Sequence, residues 1–81
     1  MRFRMESMLK PEQCKMARAG LGMSVRELAE RAKVSTNTVS RLEAGEELKL
    51  RTVEAIQTAL EAAGVEFIAE NGGGPGVRLK K

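Results

Sequence analysis

Two helix starts, Ser24 and Ser35, stand close together in residues 24–45 (SVRELAERAKVSTNTVSRLEAG), and this constrains the fold more than any other feature of the chain. Ser24 is an N-cap residue with Glu27 three positions on. That is a capping box, in which hydroxyl and carboxylate satisfy each other's unpaired backbone N–H groups. Val25, Leu28, Ala29 and Ala32 then fall on one face. After Lys33 and Val34, Ser35 offers a second capping hydroxyl, Val39 and Leu42 mark the buried side of another short helix, and Gly45 stops it. The pattern is helix, short turn, helix, with the second helix polar on its outer face, which is a helix-turn-helix signature.

The flanking sequence supplies the rest of an 81-residue, single-domain chain. Pro11 suits the first turn of a helix, Cys14, Ala17 and Leu21 form one apolar stripe, and Gly20 and Gly22 are read as its end. Leu50, Val53, Ile56, Leu60 and Ala63 keep helical spacing up to Gly64, a natural stop. Beyond Gly64 the period changes to two. Val65, Phe67 and Ala69 alternate with Glu66, Ile68 and Glu70, and Val77 and Leu79 alternate with Arg78 and Lys80, across the glycine-rich stretch 71–76. The predicted fold is mainly α: a basic N-terminal arm over 1–10, a four-helix domain over 11–64 and a C-terminal β-hairpin over 65–81. A hairpin of two strands is marginal alone. It is therefore expected to pair across a two-fold in a homodimer through Val65, Phe67, Ile68, Val77 and Leu79; folding back onto its own helices, or a loose glycine-rich tail, is the alternative.

Composition narrows the chemistry. With no His, Asp, Tyr or Trp and one Cys, the chain lacks the usual general bases, a partner for a Ser nucleophile and a zinc ligand set. The expectation is a protein that is not an enzyme and uses no metal or cofactor. Cys14 reads as a small core residue of the first helix, and a single thiol suits a reducing cytoplasm. No segment approaches a membrane span, and residues 1–8 carry two Arg without the apolar run of a signal peptide. Gly72-Gly73-Gly74 is not a phosphate loop, since no Gly-Lys-Ser/Thr follows. Two Phe residues as the only aromatics disfavour binding of single strands by stacking.

The net charge of +3 arises from 14 basic against 11 acidic side chains, with +2 each in residues 1–10 and 11–45 and −2 in 46–64. Such a balance suits a polyanionic partner, or serves solubility alone. The outer face of the third helix is more specific. Asn37, Ser40, Arg41 and Ala44 lie opposite Val39 and Leu42, and Asn37 and Arg41 are four apart. An Asn amide can bond bidentately to adenine N6/N7 and an Arg guanidinium to guanine O6/N7, the chemistry of major-groove reading. Ser35 and the first-turn N–H groups suit a phosphate.

Residues 14–45, CKMARAGLGMSVRELAERAKVSTNTVSRLEAG, resemble the phage-repressor/Cro-type helix-turn-helix regulators, also called xenobiotic-response-element-type regulators. Leu28-Ala29, Val34-Ser35, Val39-Ser40, Glu43 and Gly45 carry the likeness, and Leu50–Gly64 is similar to the helix that closes the family core. The ending resembles a small bacterial branch with a β extension. The resemblance implies that Thr36, Asn37 and Arg41 face base edges, and that Ser35 and Thr38 approach phosphates. It further implies that Lys49 and Arg51 touch the backbone of DNA and that Arg18 and Glu43 form a structural ion pair. Val25 stands where the family has a phosphate-binding Gln, which leaves Arg26 as the replacement contact. Lys33 replaces the turn Gly and is expected to take a positive φ. Glu46 and Glu47 occupy positions often basic or Pro in the family, so they should weaken binding locally. The function implied is a cytoplasmic, dimeric regulator of transcription, a repressor that binds an inverted-repeat operator in double-stranded DNA. The alternative is an antitoxin-like module that holds a partner protein and binds DNA secondarily.

Overall fold

The computed structural model describes residues 9–68 and 72–80. Capping residues set the bounds of four helices and two strands: α1 (Pro11–Leu21), α2 (Val25–Ala32), α3 (Thr36–Glu43), α4 (Leu50–Ala63), β1 (Val65–Ile68) and β2 (Gly76–Leu79). At the start of α2, Ser24 Oγ accepts from the Glu27 N–H at 3.0 Å while Glu27 Oε1 accepts from the Ser24 N–H at 3.2 Å. Ser35 Oγ accepts from the Thr38 N–H at 3.1 Å, which starts α3 in the same manner. The expected end of the first helix needs a correction. Gly20 lies inside α1, and the chain turns at Gly22 (φ 66), where the Met23 N–H reaches back to the Arg18 carbonyl at 2.9 Å. Lys33 closes α2 at φ 61, and the Val34 N–H bonds the Ala29 carbonyl at 3.0 Å. The turn has kept its left-handed geometry without its glycine.

Leu28, Val39, Ile56 and Leu60 are fully buried at the centre, with Cys14 and Ala17 of α1 beside them. The stripe of α4 begins later than its sequence spacing suggests. Leu50, its first residue, is 46% exposed, because the helix meets the core only from Val53 onward. Leu9, placed by its sequence in the basic arm, belongs instead to the core at 5% exposure and packs at the start of α1. The rest of that arm lies outside the described residues.

The two strands pair antiparallel with Val65 opposite Leu79, Glu66 opposite Arg78, Phe67 opposite Val77 and Ile68 opposite Gly76. One face of the hairpin carries Val65, Phe67, Val77 and Leu79. Val65 is 1% exposed, and Phe67 and Val77 pack against the core partly buried. On the other face the Arg78 Nε donates to Glu66 Oε1 at 3.1 Å. The Lys80 N–H bonds the Gly64 carbonyl at 2.8 Å and extends the ladder by one pair. Two contacts hold the hairpin to α1. Leu79 lies so close to Gly20 that a Cβ there would sit 3.4 Å from its Cδ2. Gln13 makes the second: its side-chain amide donates to the carbonyls of Ile68 (3.2 Å) and Gly76 (2.9 Å), while its oxygen accepts from the Lys10 N–H at 2.9 Å. The hairpin is thus folded back on α1, the arrangement that the period-two pattern had left as the alternative.

Candidate nucleic-acid interface

The first three residues of α3 and its last turn build the candidate surface. Thr36, Asn37, Ser40, Arg41 and Ala44 are exposed, while Val39 and Leu42 hold the opposite side of the helix in the core. Neither Thr36 nor Asn37 spends its side chain on a hydrogen bond among the described residues. Ser35 and Thr38 share one: their hydroxyl oxygens are 2.9 Å apart. Two hydroxyls and one mutual bond leave one O–H for an outside acceptor. Arg26 is exposed on α2.

Two grooves flank this surface and sort the expected cationic contacts. The first, about 330 Å³, is lined by Thr38, Arg41, Glu47, Leu48, Lys49 and Thr52, and so brings three of the expected DNA-contacting side chains together. The second, about 500 Å³, runs between the end of α2 and α4 and holds Arg51 with Arg31, Lys33 and Glu54. Lys49 and Arg51, only two residues apart, therefore open onto different grooves. Arg31 and Lys33 form part of the second cationic edge, and neither was singled out by sequence reasoning for that role. Their spacing to Arg51 is tertiary, so no sequence motif marks them.

The residue before α4 is Lys49, which gives no side-chain cap, and no acid stands in the helix's first turn, where Arg51 does. Positive charges here oppose the positive end of the helix dipole, and Glu47 and Glu54 line the same two grooves as Lys49 and Arg51. Arg41 is exposed on the outer face and has a partner that its sequence position does not suggest. Its Nε donates to Glu46 Oε1 at 2.9 Å, so the acid anticipated as a repulsive neighbour is a direct partner of the helix's exposed cation.

The expected Arg18–Glu43 pair holds the back of α3 in place. Arg18 Nε meets Glu43 Oε2 at 2.7 Å and Nη2 meets Oε1 at 2.8 Å, a bidentate pair whose side chains are 21% and 10% exposed. Arg18 Nη1 also donates to the Met23 carbonyl at 3.2 Å, which ties the α1–α2 turn to the end of α3. Cys14 extends this network, its thiol donating to Glu43 Oε2 at 3.1 Å. Burial first, then Glu43, pushes the Cys14 thiol far above its ordinary value. Burial alone would raise Glu43; the hydrogen bonds from Arg18 and Cys14 and the charges of Arg18 and Lys15 outweigh it and hold the carboxyl below its usual range. The hydrogen bond to Glu43 in turn raises Arg18, against the opposing effect of burial. Cys14 is therefore more than a small apolar filler, a role invisible in sequence because it depends on Glu43, 29 positions away.

Two capped helices in this relation, with an outward polar face on the second and a half-buried ion pair behind it, define a helix-turn-helix domain. The helix-turn-helix domain family matches residues 12–67, more than half of the chain, and the chain belongs to that family. The match runs from the second residue of α1 through α2, α3 and α4 to Phe67 of the first strand. No curated protein matches the chain. Membership points to DNA as the partner and to regulation of transcription as the setting. Among the described residues, no helix is long and apolar enough to cross a membrane.

Proposed function

We propose that this chain is a transcriptional regulator of the phage-repressor/Cro type with a β extension, which binds an inverted repeat in duplex DNA as a homodimer and represses. The observation that carries the reading is the surface of α3. Asn37 and Arg41 project from a face whose opposite side is fixed in the core, and Thr38, Arg41 and Lys49 share one groove beside it. In this reading Thr36, Asn37 and Arg41 meet base edges in the major groove, and Ser35, Thr38, Arg26 and Lys49 meet phosphates. Arg51, on the second groove, joins Arg31 and Lys33 on a flanking stretch of backbone.

Dimerisation is supported by the outer end of the hairpin. Leu79 is 48% and Met16 41% exposed, beside a small apolar cleft of about 90 Å³ that Gly20 and Val77 also line. Leu79 is thus the strongest interface residue, Phe67, Ile68 and Val77 have part of their surface to offer, and Val65 has none left. Pairing there would place two α3 helices for half-sites about one turn, roughly 34 Å, apart.

Selection of bound fragments from a randomised duplex pool, followed by titration of the enriched sequence, tests the reading. Asn37→Ala is expected to cost roughly 1–3 kcal/mol at one base position, whereas Lys49→Ala should weaken every sequence alike and reduce the salt slope by about one. If the two variants behave identically, α3 is not the reading helix. Light scattering on Met16→Glu and on Leu79→Glu, each first matched to the parent by thermal melting because Leu79 also packs on Gly20, tests the dimer: monomeric variants of a dimeric parent are expected, and an unchanged mass moves the interface elsewhere.

A further inference from the structure

Glu46 lies where an acid should only repel DNA, yet it is held against the one exposed cation of α3. Gly45 turns the chain at φ 91, the Glu46 N–H bonds the Arg41 carbonyl at 3.0 Å, and this returns the Glu46 side chain over the last turn of the helix. There Glu46 Oε1 accepts from Arg41 Nε at 2.9 Å, with the two side chains 54% and 45% exposed. The end nitrogens of Arg41, Nη1 and Nη2, make no hydrogen bond among the described residues. We propose that Glu46 is a positioning residue that aims Arg41 at guanine and withholds it from phosphate. This rests on the reading of α3 as the DNA-contacting helix.

The geometry works through the shape of the guanidinium. A planar fork fixed at Nε presents its remaining pair of donors end-on, and that pair matches the O6 and N7 acceptors of guanine. An unrestrained Arg has a long stem with many rotamers and is attracted to any phosphate oxygen. In the groove that Arg41 shares with Thr38 and Lys49, a free guanidinium has phosphate contacts within easy reach, which carry no sequence information. The carboxylate changes both terms. It favours one orientation of the fork, and it offsets the charge that draws the group to the backbone. As DNA closes over the groove and excludes water, the pair's attraction strengthens against a rising desolvation cost, and guanine's acceptors meet the end nitrogens that the carboxylate leaves open. Glu46 thereby trades general affinity for discrimination.

The test separates charge from geometry. Glu46→Gln keeps an acceptor for Arg41 Nε but removes the charge, and Glu46→Ala removes both. Full-length protein and the two variants, first matched by thermal melting, are titrated into the enriched duplex, the same duplex with each guanine substituted in turn, and a random-sequence duplex of equal length. Arg41→Ala identifies the guanine concerned. Both Glu46 variants are expected to bind the random duplex about threefold to tenfold more tightly, as the loss of one negative charge beside phosphates requires. Glu46→Gln should keep the guanine preference, while Glu46→Ala should lose roughly tenfold of it, within the range one bidentate contact supplies. If Glu46→Ala retains the full preference, or if both variants change it equally, the positioning role is wrong and Glu46 is only a charge. Failure of the parent protein to bind any duplex overturns the DNA-binding reading, and this inference with it.

Discussion

Lys33 shows how one residue records a compromise. Its φ of 61 is a conformation in which Cβ crowds the following carbonyl, at roughly 1 kcal/mol or more for a side chain other than glycine. Lys33→Gly is expected to raise stability by about 0.5–1 kcal/mol in urea denaturation, since the gain in the turn exceeds the added freedom of the unfolded chain. The Arg18–Glu43–Cys14 network is the opposite case, a set of residues each required by the others. Arg18→Ala is expected to cost roughly 1–3 kcal/mol by leaving the half-buried Glu43 carboxylate without its partner. The pH dependence follows from the directions of the shifts. Glu43 is held below its ordinary value near 4.5, so its contribution is complete above that pH and is lost as pH falls through the lower, folded value. Cys14 is raised above its ordinary 9.0, so its contribution is present below pH 9 and declines as pH rises beyond it. Glu43→Gln should flatten the acid limb of a stability profile and Cys14→Ala the alkaline limb, each measured against the parent protein.

At the level of elements, α1 and α4 both carry residues that a helix alone would not choose. Gly20 sits in the last turn of α1 at the edge of ordinary contact distance to Leu79, so Gly20→Ala should fit against a side-chain terminus able to shift. It is expected to stabilise the fold by up to about 0.5 kcal/mol, less than the difference between Gly and Ala in mid-helix, as read from the melting temperature. Lys49, at the start of α4, leaves the helix without a hydroxyl cap. Lys49→Ser should add roughly 0.5–1 kcal/mol of stability by capping the first turn. The same change should weaken DNA binding at every sequence, and tighter or unchanged binding would remove Lys49 from the interface. A helix start that is better for folding and worse for binding is what selection for an anion would leave.

For the whole molecule, the hairpin is part of the core rather than an appendage. Val65 is fully buried, Phe67 and Val77 are partly so, and Gln13, itself 4% exposed, clasps the Ile68 and Gly76 carbonyls. Ending the chain after Gly64 would remove these side chains and expose the cavity they fill. The loss is roughly 3–5 kcal/mol at 1.5–3 kcal/mol per buried apolar side chain, a large share of the total stability of a domain this size. The expected result is a truncated chain with broad, non-cooperative melting, so truncation cannot report on dimerisation and a surface change such as Leu79→Glu must.

Much of this was legible in the sequence because it is local. The capping box at Ser24, the capping hydroxyl of Ser35, the helical spacing of Val53, Ile56 and Leu60 and the switch to a period of two after Gly64 each depend on residues within a few positions, so most helix starts and the strand positions could be read directly. The outward face of α3 was legible for the same reason. What the sequence left open is set by contacts between distant segments. The spacing of Gly20 and Gly22 does not say which one turns, and packing against Leu79 explains how Gly20 remains helical. Likewise, only the docking of the hairpin makes Gln13 a buried clasp, and only the turn at Gly45 brings Glu46 onto Arg41. Lys49 and Arg51 look equivalent in sequence because they are two residues apart; the packing of α2 and α3 against α4 divides them between two grooves. Local patterning fixes what each segment becomes, since hydrogen bonds and side-chain period act within a turn or two. Which polar groups then meet depends on how the segments bury their apolar faces together.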